Sequence, residues 1–142
     1  MPGDGTEPIE DHEILYRRIP VSRKFYSPTT KQLSPGAFEP HKKNDDTGLS
    51  IVRAKYCSAV EDAAAGPSKS GYWIASLCAG ALRAKGIEVC PRPIDENKGH
   101  AEITSLTNAN CDSDLSQEMM LKLATELCID VQGPFHQGTT PS

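Results

Sequence analysis

No run in this chain of 142 residues approaches the length of about 20 apolar residues that a bilayer-crossing helix needs. Also missing are a C-x-x-C pair, a Gly-x4-Gly-Lys-Ser/Thr loop and a G-x-S-x-G turn. Their absence removes, as local signatures, a zinc ribbon or thioredoxin-like centre, a phosphate loop and an α/β-hydrolase nucleophile elbow. Aromatic residues are scarce, at 6 % of the chain. The start, "MPGDGTEPIEDHE", has no basic residue and no apolar stretch, the reverse of a secretory signal. These features set the expectation of a soluble, cytoplasmic protein with no membrane association.

What is present bounds the protein further. The length suits one domain with its own hydrophobic core. Five cysteines, Cys57, Cys78, Cys90, Cys111 and Cys128, are odd in number and widely spread, as expected of buried free thiols rather than a disulfide framework. Net charge is −4 but unevenly placed. Residues 1–13 carry five acidic groups and no basic ones, and residues 14–60 carry a local +6. The remainder carries −5. A basic half beside an acidic half either neutralises itself on folding or attracts an anionic partner.

Residues 1–12 and 133–142 lack periodicity and are expected to be flexible tails around a domain spanning 13–132. "EILYRRIPV" alternates: Ile14, Tyr16 and Arg18 share one strand face, with Leu15, Arg17 and Ile19 on the other. Arg17 on the apolar face therefore needs a partner or a route to the edge. Residues 27–48, rich in Pro and Gly, read as an unusually long loop. Leu49–Arg53 reads as a strand, "CSAVEDAAAG" as a helical turn, "GYWIASL" as a strand, and "CAGALRAKG" as a short helix closing at Gly86. "IEVCPRP" and "HAEITSL" add two strands. A helix capped by Asp114 is expected to bury Leu115, Met119, Met120, Leu123 and Leu127, and "CIDVQG" forms a last strand. The order predicts an α+β fold: a mixed or antiparallel sheet of about five to six strands, one amphipathic C-terminal helix and one or two short helices.

No complete motif marks a site, so candidates rest on residue type and placement. "AGPSKSG" has its second glycine after the Lys-Ser pair, the wrong order for a phosphate loop. His41, Asp45 and Asp46 match no calcium or zinc spacing, and neither a metal nor a cofactor is implied. His100 and Glu102, two apart on a strand, point to one face, where a carboxylate can orient a histidine for acid/base work. Ser50 sits on an earlier strand. Arg17, Arg18 and Arg53, with Lys42 and Lys43, offer an anion grip, since guanidinium forks bind phosphate and carboxylate in two-pronged fashion. Two readings follow. One is a binding or accessory domain for an anionic ligand or a protein partner. The other is an enzyme with His100, Glu102 and Ser50 as catalytic groups, acting on a phosphate-bearing or nucleotide substrate. A third, nucleic-acid binding, draws on the basic residues 17–55 with Tyr16, Phe25, Tyr26 and Tyr56 interleaved. The chain's pI near 5.5 opposes it.

Two resemblances bear on these readings. The order Arg, Ser, Glu on successive strands resembles the ADP-ribosyltransferase arrangement, which implies an Arg holding the NAD diphosphate and a Glu steadying the ribose. The Ser-Thr-Ser and Glu-x-Glu patches of that family are absent here. Taken together, "LYRRIP", "LSPGAF", "TGLSIVRAKY" and "GHAEI" resemble a group of small bacterial proteins without an established activity. That likeness spans roughly residues 14–105 and implies a bacterial stand-alone domain, with no catalytic residues to carry over.

Overall fold

The computed structural model describes residues 4–22, 24–41, 45, 47–64, 70–95 and 97–135. In chain order the strands are β1 (Ile14–Pro20), β2 (Tyr26–Ser27), β3 (Gln32–Leu33), β4 (Leu49–Arg53), β5 (Tyr72–Cys78), β6 (Val89–Pro91), β7 (His100–Ile103) and β8 (Cys128–Phe135). Two α-helices, α1 (Ala79–Ala84) and α2 (Asp114–Lys122), complete the frame with short 3-10 turns. Six strands make one sheet in the order β6-β7-β4-β1-β5-β8, and every pairing is antiparallel. The architecture is α+β, as the element order implied.

Alternation decides the faces. Leu15 and Ile19 of β1, Leu49 and Ile51 of β4, Ala75 and Leu77 of β5, and Ala101 and Ile103 of β7 are buried on one side. Their cover comes from Phe38, Leu82, Met120, Leu123 and Leu127, which belong to the same core. Part of the long segment 27–48 is thus structured. β2 and β3 pair as a small hairpin, and the 3-10 turn Pro35–Phe38 drives Phe38 into the core with no exposed surface. Burial of one such side chain contributes about 1.5–3 kcal/mol. On the opposite sheet face, the 3-10 turn Val60–Ala64 lays Ala63 and Ala64 against Tyr72 and Ile74, forming a smaller second cluster.

The ends of the helices follow local chemistry. α1 closes at Gly86, whose φ of +78° lets the Gly86 and Ile87 amides turn back onto the Arg83 and Leu82 carbonyls. The cap of α2 is Ser113 rather than Asp114: its Oγ accepts the Ser116 amide at 3.1 Å. The buried stripe is Ser116, Met120, Leu123 and Leu127, the last two in a π turn at Leu123–Leu127. Leu115, expected inside, is 71 % exposed. The five cysteines are unpaired, as expected, but half-buried rather than fully enclosed.

The acidic start is not loose where it is described. Ile9 joins the core, and the segment wraps Arg53, whose side chain has no exposed surface. Arg53 donates to Glu13 through Nε at 2.9 Å and Nη2 at 2.7 Å. It also donates to the carbonyls of Glu7 and Pro8 at 2.9 and 3.2 Å. Lys55 pairs with Glu7 at 2.8 Å. Among the described residues no helix is long and apolar enough to cross a membrane.

Candidate functional site

The site begins where the ladder between β1 and β4 stops. Paired residues there are Leu15 with Arg53 and Tyr16 with Val52, and the pairing goes no further. The Arg17 side chain occupies the edge so opened. Its Nη1 donates to the Ser50 carbonyl at 3.1 Å, its Nε to the Ala37 carbonyl at 3.1 Å and its Nη2 to the Glu39 carbonyl at 3.4 Å. The arginine on an apolar face thus replaces the missing strand partner of Ser50 and ties the 35–39 segment to the sheet. Burial lowers the Arg17 pKa to about 10, against the favourable charge of Asp45, so it stays cationic at neutral pH.

On the other side of β4 the ladder with β7 is intact, with Ser50 opposite Glu102 and Val52 opposite His100. These four side chains share the sheet face turned away from the main core. Where β1 and β4 part, a cleft of about 260 Å³ opens on this face, walled by Asp62 and Ala63 on one side and Ile94 and Asn97 on another. Arg17, Arg18, Ser50 and His100 all line it. Four of the residues expected to form a site therefore meet in one cleft.

His100 is held at both ring nitrogens. Nδ1 lies 2.8 Å from the Arg92 carbonyl oxygen, and Nε2 lies 3.2 Å from Ser50 Oγ. A carbonyl only accepts, so Nδ1 carries a proton, and in the neutral ring the lone pair is on Nε2, facing Ser50. Ser50 Oγ also lies 2.9 Å from Asp45 Oδ1. Asp45 is 2 % exposed, and its Oδ2 accepts the His41 amide at 2.7 Å. The Ser50 hydroxyl has one proton and two acceptors within reach.

Glu102 does not pair with His100. Its carboxylate takes the Thr47 hydroxyl, 2.7 and 2.9 Å from its two oxygens, and the Arg92 Nε at 3.1 Å. Residues two apart on a strand are separated by roughly 6.5 Å, so each reaches across to a neighbouring strand or loop instead. Gly48 makes this possible: a Cβ there would come within 2.9 Å of both the Glu102 Cβ and the Ile103 carbonyl oxygen. His100 thus meets Ser50, while the buried Glu102 carboxylate, expected beside it, is taken up by Thr47 and Arg92.

The remaining candidates divide. Arg18 is exposed at the cleft, its guanidinium 4.7 Å from the centre of the Tyr72 ring. Arg53, expected to hold a ligand, is enclosed and committed to Glu13 and the N-terminal carbonyls. Lys42, Lys43, Asp46 and most of the "AGPSKSG" stretch lie outside the described residues. No cluster of three or more metal-ligating side chains occurs among the described residues. Asp45 and Asn97 went unrecognised as site residues, since Asp45 reads in sequence only as part of a polar loop. The Arg92 carbonyl carries no sequence signal at all.

No known family model, curated protein or solved structure matches the chain.

Proposed function

We propose that the protein binds a small anionic molecule in the cleft between β1 and β4. The observation that supports this reading is the meeting of Arg17, Arg18, Ser50 and His100, from three strands, around one small opening. Arg18 supplies the charge at its mouth, and Ser50, His100 and Asn97 supply hydrogen-bonding groups within it. Arg17, already engaged with three carbonyls, contributes field rather than direct contact. The cleft volume suits a compact ligand such as a phosphate or short carboxylate better than a dinucleotide. Nucleic-acid binding gains less support: Arg53 is internal, Lys55 is paired with Glu7, and Arg17 is turned onto the backbone.

Titration of the isotopically labelled chain with inorganic phosphate and with succinate tests the proposal. Resonances of His100, Ser50 and Asn97 should move together and saturate. Arg18→Ala should weaken binding by about tenfold or more, the usual value of a hydrogen bond to a charged group. Shifts scattered over the surface, or none at all, would reject the cleft as the site.

A further inference from the structure

We infer that Ser50 is a nucleophile with His100 as its general base, and that the cleft hydrolyses a short ester bearing a negative charge. The inference rests on the anion-binding reading for the charge on the substrate, but not for the chemistry. Three features carry it. The Arg92 carbonyl holds the Nδ1 proton, so the neutral ring aims its Nε2 lone pair at Ser50 Oγ. Ser50 lies on the margin of the cleft rather than inside the core. Its backbone is fixed by the Arg17 guanidinium on its carbonyl, so the hydroxyl is presented from a rigid strand.

The reaction closes on itself with water as the only co-reactant. Ser50 Oγ attacks the ester carbonyl carbon as its proton passes to His100 Nε2. The bond to the leaving oxygen then breaks, and that oxygen takes the proton from Nε2 and departs as the alcohol. Water next gives a proton to Nε2 and attacks the acyl-serine carbon. The acyl–Oγ bond breaks, Oγ regains its proton, and the carboxylic acid leaves. Asp45 stands outside this cycle. At 2.9 Å it competes for the hydroxyl proton, and the serine must turn from Asp45 to His100 before it attacks.

The experiment treats the full chain with a fluorophosphonate probe, maps the adduct by peptide mass spectrometry, and compares turnover of p-nitrophenyl acetate with the mono-p-nitrophenyl ester of succinic acid. The expected result is an adduct on Ser50 and a kcat/KM at least about tenfold higher for the charged ester, a preference that Arg18→Ala removes. His100→Gln should lower kcat by about a hundredfold or more in a chain that keeps its fold by circular dichroism. An adduct elsewhere, or none in a folded chain, overturns the nucleophile even if phosphate still binds. Adduct formation on Ser50 without a preference for the charged ester overturns the assigned substrate class. Mapping on the unaltered chain keeps the test decisive should Ser50→Ala fail to fold.

Discussion

Ser50 and His100 touch across the β4–β7 ladder without being register partners: Ser50 is opposite Glu102, His100 is opposite Val52, and the diagonal brings Oγ and Nε2 to 3.2 Å. A direct pairing would have set Ser50 against a carboxylate. The diagonal places it against a base instead, and leaves Glu102 to the Thr47 hydroxyl.

Asp45 is the acceptor that holds this serine away from the histidine. Asp45→Asn replaces a charged acceptor by a neutral one, which bonds about half as strongly. The variant should label faster with the fluorophosphonate probe than the parent chain. It should also lose about 1–3 kcal/mol of stability, since a buried group then faces the Ser50 hydroxyl, the His41 amide and the Arg17 charge with fewer acceptor sites. Labelling rates and urea unfolding measured together check both effects. Slower labelling in a folded variant would give Asp45 an assisting role instead.

Arg53 is fully buried and bonded to a carboxylate and two carbonyls, so its removal should be costly. Arg53→Met leaves the buried Glu13 carboxylate with only the Glu10 amide and the Lys55 ammonium 3.9 Å away, and the cost should be about 3–5 kcal/mol. The double variant Arg53→Met/Glu13→Leu removes both charges and should recover much of it. Chemical denaturation of the two variants side by side provides the check.

The same lock sets an acid limit. The Lys55 ammonium and the Tyr56 hydroxyl hold Glu7 down to about 2. Burial pushes Glu13 up, but Arg53, the Glu10 amide and Lys55 together leave it below its ordinary value. Both carboxylates therefore bind protons more weakly folded than unfolded, and folding is favoured above the ordinary glutamate range. Stability should be constant near neutrality, begin to fall as pH drops below about 4.5 and continue to fall toward 2. Thermal unfolding midpoints across pH 7 to 2 measure this, and Glu7→Gln should flatten the lower part of the curve.

Phe38 tests how firmly the long segment 27–48 is fixed. Phe38→Ala should cost about 3–5 kcal/mol, the range for emptying a fully packed aromatic site. It should also broaden the amide resonances of 35–39, because Arg17 then anchors to carbonyls on a loosened turn. A loss below about 1 kcal/mol would mean that the turn contributes little to the core.

The strands were legible because half-burial forces alternation, and Leu15/Ile19, Leu49/Ile51 and Ala101/Ile103 obey it. The start of α2 was read one residue late because Ser113 and Asp114 are both good caps, and Leu115, in the first turn, lies outside the buried stripe of Ser116, Met120, Leu123 and Leu127. Arg53 looked like a surface cation because its partners lie in a segment some 40 residues earlier. His100 and Glu102 looked like a pair because sequence spacing reports a shared face but not which neighbour on the next strand each side chain reaches. The gap between β1 and β4 had no sequence trace beyond one oddity, an arginine at a core-facing position.

The hold of Arg53 on the first residues also sets an order of events during synthesis. The chain emerges from its N-terminus, yet Glu7, Pro8 and Glu13 receive their cation only when β4 has been made, and β1 finds its longest partner only with β5. The segment of residues 7–13 must therefore wait, acidic and without that cation, until β4 has followed. Its negative charge keeps that waiting segment solvated and discourages it from adding to another chain's sheet edge. The acidity that looks like a tail in the sequence serves the fold as the counter-charge for a cation with no exposed surface.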